Sequence, residues 1–192
     1  MNPIQYKQHL LNQLYAPHEK CLQCPLGNLI RSQTVFGEGN PDANLMLVGE
    51  APGQQEDRQG KPFVGRSGKL LDRIFEIIEL SRDDIYITNV VKCRPPNNRR
   101  PTEQESTICK NILLYKQIQI IRPRVICTLG SAATESLLGE KVRITKIRGT
   151  QQSFKETIVI PTLHPAYILR NATKLKYLVS DLQTAKELFN VK

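Results

Sequence analysis

Five cysteines, a histidine just past an apolar run and a glycine-dense loop carry most of the chemistry available to this 192-residue chain. Cys21 and Cys24 form a C-x2-C pair, Cys93 follows after 68 intervening residues, and Cys109 after 15 more. Four thiolates converging from a loop and two element ends suit a tetrahedral metal or an iron–sulfur cluster. A zinc ribbon normally has two C-x2-C knuckles. The single pair here tilts the spacing toward a [4Fe-4S] cluster, with Zn²⁺ and free structural thiols left open. Neither metal reading implies an open coordination position, so the group would fasten the N-terminal segment and the 93–109 stretch to the rest of the chain. Cys127 lies inside the apolar run 125–129 and reads as a small core residue.

The second candidate is GEAPGQQEDRQGKPFVGRSG at 49–68. It has neither the G-x4-G-K-[ST] nor the G-x-G-x-x-G pattern, so a nucleotide-binding loop is poorly supported. Gly49 and Gly53 allow tight turns whose backbone groups can hydrogen-bond a planar polar ligand. Phe63, the one large aromatic of the loop, is either core or a ring that stacks on a base. Asn89 closes an apolar run, where its amide can donate and accept at once, as reading an imide edge requires; an Asx turn is the plain alternative. His164 precedes Pro165, which excludes the α region and holds the histidine extended at a strand tip.

These residues need a frame to hold them, and the hydrophobic pattern supplies one. Short β-branched runs at 45–49, 85–91, 125–130 and 158–163 read as strands buried on both faces. Between them lie helical stretches. Ser67 is a plausible cap for a helix through Leu80, Thr102 and Glu105 form a capping box for a helix running to Ile121 before Pro123, and 175–188 is a closing amphipathic helix. Strands alternating with helices indicate βαβ units and a parallel sheet. Ligands of such sheets bind at the carboxyl ends of the strands. The loop at 49, Asn89 and His164 all fall there.

Length and charge narrow the function classes. One domain, 1–192, is the expectation, with enough core to dispense with disulfides. No apolar run approaches 18 residues and the start MNPIQYKQHL has no signal-like apolar stretch, so a membrane partner is not expected and a reducing, cytoplasmic location is. The net charge is +9, unevenly placed: residues 1–88 have 9 basic and 11 acidic side chains, residues 89–192 have 18 and 7. The segment 92–100 holds Lys92, Arg94, Arg99 and Arg100 without an acid, and 141–155 holds five more cations. Such runs are the electrostatic footprint of phosphate backbones, or else a solvated basic face.

GEAPGQQED, KPFVGRSG, TNVVKCRPPNNRRPT and LHPAYILR, with the four cysteines in this order and spacing, resemble family 4 uracil-DNA glycosylases, the iron–sulfur type of bacteria and archaea. The likeness runs from Cys21 to about Arg170. It implies an α/β three-layer sandwich, a central four-stranded parallel sheet with helices on both faces. It also implies a [4Fe-4S] cluster on Cys21, Cys24, Cys93 and Cys109, and removal of uracil from single- or double-stranded DNA by a monomer. It places Phe63 on the uracil ring, Asn89 at its imide edge, backbone groups of Gly49, Glu50 and Ala51 against the base, and His164 at O2. Arg94, Arg99, Arg100 and Arg170 become candidate phosphate contacts. A related base preference, or a metal-stapled DNA-binding module without catalysis, are the rival readings.

The implied chemistry is consistent with these residue types. A base inside a duplex must be flipped out at a cost of a few kcal/mol, and charge developing on the departing uracil needs preorganised donors. One position departs from the better-known single-domain enzymes, which have a water-orienting aspartate where this chain has Ala51. Glu56 and Asp57 are the nearest carboxylates beyond Glu50. Glu56 is the favoured one to position water or stabilise the sugar cation.

Overall fold

A computed structural model of the chain describes residues 2–190. The apolar runs become strands β1 (Glu38–Gly39), β2 (Leu45–Gly49), β3 (Ile85–Asn89), β4 (Val125–Leu129), β5 (Gln152–Phe154) and β6 (Thr157–Thr162) of one sheet, in the order β1-β3-β2-β4-β6-β5. β3, β2, β4 and β6 pair in parallel. The edges β1 and β5 are antiparallel. The expected four-stranded parallel sheet is thus corrected to a mixed sheet of six. β1 and β5 span two and three residues and stay partly exposed, so they carry no apolar run that would announce them.

Alternation along each strand divides the core into two layers. Met46, Val48, Tyr86, Ile126 and Val159 face one side, against Leu11 of α1 (Pro3–Tyr15) and Leu113, Leu114, Ile118 and Ile121. Leu45, Leu47, Ile85, Val125, Cys127 and Ile160 face the other, against Leu71, Ile74 and Phe75 of a helix at Arg66–Ile77 and Leu178, Leu182 and Ala185 of a helix at Leu175–Asn190. Helices on both faces are what strands buried on both sides require. Cys127, with no exposed surface, is a core residue. Among the described residues no helix is long and apolar enough to cross a membrane.

With the short Gln54–Gln59 helix as α2 and Arg66–Ile77 as α3, the helix starts divide into one correction and one agreement. α3 is capped by Gly65, so Ser67 lies inside its first turn rather than at the cap. Thr102 and Glu105 do form the capping box, opening α4 (Glu103–Cys109). From there the helix does not run evenly: a π turn at Lys110–Leu114 separates α4 from α5 (Tyr115–Ile121), which ends on Arg122 in the left-handed region. A π turn is in effect one extra residue in an α-helix. Its effect shows in the burial, where Glu105 and Cys109 alone face inward before it and, from Leu113 on, the buried face widens to Leu113, Leu114, Gln117, Ile118 and Ile121.

Candidate active site

At the carboxyl ends of the parallel strands lies a cleft of 740 Å³, walled by Glu50, Ala51, Gly53, Glu56, Phe63, Asn89, His164, Tyr167 and Arg170. β2 delivers Glu50 and Ala51, β3 ends on Asn89, and β6 leads into His164. Gly49 makes the centre possible. A Cβ there would collide with the Phe63 ring and the Asn89 side-chain oxygen, so only glycine lets ring and amide approach the strand this closely.

Asn89 is 1% exposed, and its Oδ1 is buried with no hydrogen-bond partner. Burying an amide oxygen unpaired costs on the order of 1–3 kcal/mol, a cost that a partner from outside the chain would relieve. Phe63 holds its ring beside it in a strained backbone with φ 52°. Three features fix that strain. A Cβ at Gly68 would strike the Phe63 carbonyl, Arg82 donates 2.6 Å to the Phe63 carbonyl oxygen, and Asp72 accepts 2.6 Å from Arg82 Nε. The Phe63 and His164 rings are 6.1 Å apart at 37°, and both line the cleft.

His164 is extended (φ −71°, ψ 136°), as Pro165 demands, and caps the short helix Pro165–Ile168. Its Nδ1 accepts 3.0 Å from the Ala166 backbone N–H, which leaves the proton of a neutral ring on Nε2. Burial, reinforced by Arg170 and opposed by Glu56, lowers its pKa to about 4. The imidazole is therefore a neutral donor at ordinary pH.

The two candidate carboxylates separate cleanly. Asp57 is 2% exposed and both its oxygens accept from the Ser32 backbone N–H, at 2.9 and 3.0 Å, away from the cleft. Glu56 lines the cleft; its Oε1 accepts from Val64 and Gly65 N–H at 3.0 and 2.7 Å. It thereby pins the backbone just after Phe63, while Oε2 makes no hydrogen bond among the described residues. Glu50, whose Oε1 is buried without a partner, also lines an adjoining pocket of 380 Å³, and burial raises its pKa.

The basic run 92–100 does not form the uniform phosphate surface its composition implies. Lys92 is 1% exposed and cannot reach a DNA backbone. Arg99 forks onto both oxygens of Glu105 at 2.8 Å, and Arg100 reaches Glu135 at 2.5 Å. Arg94 donates 2.8 Å to Asn98. The acids that pair with Arg99 and Arg100 lie outside 92–100, where a count along that run cannot see them. Arg170 is exposed on the cleft wall, and the neighbouring Leu169, 40% exposed, had no sequence signal beyond its apolar type.

Cys21, Cys24, Cys93 and Cys109 are unbridged, all but Cys21 are buried, and they stand close enough to act on one another's charge. Burial foremost, with thiolate repulsion added, raises Cys93 to about 12 and Cys109 to about 11. Such thiols ionise only against strong positive charge. The surroundings suit anionic sulfur: Cys24 receives Leu26 and Gly27 backbone N–H groups, Cys109 receives that of Lys92, and the Arg31 charge acts on Cys93. Arg31 donates 2.8 Å to the Cys21 carbonyl oxygen and keeps a buried Nε unpartnered. Among the described residues no three His, Cys, Asp or Glu are arranged to hold a single metal ion. Four thiols with this donor set fit a larger, thiolate-bound anionic group.

The profile of the Uracil DNA glycosylase superfamily matches residues 36–186. The type-4 uracil-DNA glycosylase of Thermotoga maritima is 48% identical over 172 residues, 88% of both chains. That of Sulfurisphaera tokodaii is 49% identical over 88% of this chain and 80% of its own. The Archaeoglobus fulgidus protein is 40% identical over 88% and 87%. A cleft built around an unpaired amide, an aromatic ring and a neutral histidine thus sits in a sequence that, over most of its length, belongs to the uracil DNA glycosylase superfamily and to its type-4 branch.

Proposed function

We infer that this protein removes uracil from DNA by hydrolysing its N-glycosidic bond, leaving an abasic site for base excision repair. The observation that carries this reading is the buried, unpartnered Asn89 Oδ1 beside the Phe63 ring. An imide presents an N–H to that oxygen and a carbonyl to the amide nitrogen. Cytosine presents an acceptor and an amino group, and so leaves both sides unpaired. Phe63 offers the stacking face for a flipped base, and Leu169, between the cleft residues Tyr167 and Arg170, is of the apolar type that wedges into the vacated stack.

Breakage of the bond leaves positive charge on the sugar and negative charge on uracil O2. His164 Nε2–H meets the O2 charge as a neutral donor, with no proton to lose first. Backbone groups of Gly49, Glu50 and Ala51 line the base. Glu56, held at Oε1 by two backbone N–H groups, directs Oε2 to the attacking water or the sugar cation, the work for which Ala51 has no carboxylate. Arg170 holds a flanking phosphate. Arg94, Arg99 and Arg100 join it only where DNA competes with their present partners. Cys21, Cys24, Cys93 and Cys109 would hold a [4Fe-4S] cluster, which supplies charge and cross-linking rather than a reacting atom. On this reading residues 1–192 are one catalytic domain, acting as a cytoplasmic monomer on single- or double-stranded DNA.

Incubation with a uracil-containing oligonucleotide followed by alkali tests the reading. Strand scission is expected, slowed about 100-fold to 1,000-fold in His164→Ala. Intact strands from the unmutated protein would overturn it.

A further inference from the structure

Lys92 is the largest fully buried side chain among the described residues, and nothing in the glycosylase reading uses it. It lies between Asn89 and Cys93. A buried ammonium is costly unless hydrogen-bonded and charge-compensated, yet no carboxylate pairs with it among the described residues. Its ammonium donates 2.5 Å to Thr88 Oγ1 and 2.7 Å to the Asn89 carbonyl oxygen. β1 pairs only with Tyr86 and Ile87 of β3, so the Asn89 carbonyl lies beyond the edge strand's reach and the lysine takes the place of the missing ladder bond there. The Thr88 hydroxyl in turn donates 2.8 Å to the Phe36 carbonyl oxygen. The lysine's backbone is tied the other way: the N–H donates to the Cys109 sulfur and the carbonyl accepts 2.7 Å from Val35 N–H. Burial lowers the Lys92 pKa to about 7, opposed by the Cys109 thiol, the one ionisable group whose charge acts on it among the described residues.

We propose that Lys92 is a positioning residue joining the cysteine-held group to the base-reading strand tip: its backbone N–H grips Cys109, its ammonium fixes the Asn89 peptide, and its charge offsets the thiolates. The proposal rests on Asn89 contacting uracil. It gives the metal centre a role in substrate recognition, because the segment 89–93 then transmits the placement of the thiolates to the Asn89 amide.

Lys92→Met keeps the chain length and the backbone N–H but removes charge and side-chain donor; Lys92→Gln restores a neutral donor. Iron-replete samples with unchanged far-UV circular dichroism are compared for KM and kcat on a uracil-containing single strand, inhibition by free uracil, and iron release to a ferrous chelator. For Lys92→Met we expect KM and the uracil inhibition constant to rise about tenfold, kcat to change less than threefold, and iron release to quicken several-fold. Lys92→Gln should regain uracil affinity but not iron retention. Should Lys92→Met fail to fold, Lys92→Gln carries the test through its faster iron release. Uracil constants within twofold of the unmutated protein in Lys92→Met, or activity falling only in proportion to lost iron, would overturn the tether. Unchanged iron release would overturn the link to the thiolates. Inactive unmutated protein would count against the glycosylase reading instead, and iron release would still judge the Lys92 link.

Discussion

Asn89 and Lys92 are three residues apart and both fully buried, yet the chain treats them in opposite ways. The asparagine's side-chain oxygen is left unpaired, whereas the lysine's ammonium is held by a hydroxyl and a carbonyl. Around Asn89 the walls are a ring, a glycine strand and a histidine with one ring nitrogen tied to backbone. Around the cysteines the walls are converging N–H groups and cations. On the proposed function, a guest that comes and goes is met by groups kept vacant at a standing cost in stability; a resident group is met by groups that stabilise it throughout. Mutations on the two sides should therefore separate activity from stability.

The largest effect should be at the cysteines. Cys93→Ser removes a thiol proposed to hold the cluster, whose binding energy would also be folding energy; we expect loss of iron and a Tm lower by about 6–12 °C, the shift about 3 kcal/mol produces at this length. Calorimetry beside iron analysis measures both, and an unchanged Tm would break the comparison. Asn89→Ala should do the reverse, lowering kcat/KM for uracil about 100-fold to 1,000-fold while Tm holds or rises, since the unpaired oxygen disappears. Next comes Glu56→Gln. The amide oxygen can keep both backbone contacts, so the loop should stay intact while single-turnover cleavage slows about 100-fold; full-rate cleavage would remove Glu56 from the chemistry.

His164 gives a sign-specific pH test. Its pKa is depressed from 6.5 to about 4 in the folded chain, so the unfolded chain takes up the proton first as pH falls. Its contribution makes the protein less stable between pH 6.5 and 4 and has no effect above 6.5. Cleavage should show no His164 titration near pH 6.5; a rate falling with a midpoint there, and abolished in His164→Ala, would mean an ordinary solvated imidazole. The smallest effect is expected at the arginines. Arg170→Gln should reduce the salt slope of DNA binding by about one, and Arg99→Gln, already paired with Glu105, by less.

What the sequence revealed follows from how local each cause is. His164 and Asn89 were legible because a strand end and the following Pro165 act within a few residues. The four buried strands were legible from their β-branched runs, but β1 and β5 were not, since two or three partly exposed residues leave no pattern. Ser67 was misplaced because Gly65 opens α3 with backbone conformation rather than a side chain. The basic run misled most. It shows charge but hides that Lys92 points inward and that Glu105 and Glu135 arrive from other elements. Arg82, which braces Phe63 from 19 residues away, has no sequence signal.

The wide turn at Lys110–Leu114 has a consequence for what this helix can do. At about 100° per residue, one additional residue rotates everything after it by more than a quarter of a circle. That slip lets Cys109 look toward the other cysteines while Leu114 and Ile118 keep their seats on the sheet. Two demands of different phase are met by a single rod without a break. Deleting Asn111 would restore regular winding and force a choice: either the thiol turns from its companions or the apolar stripe turns from the core.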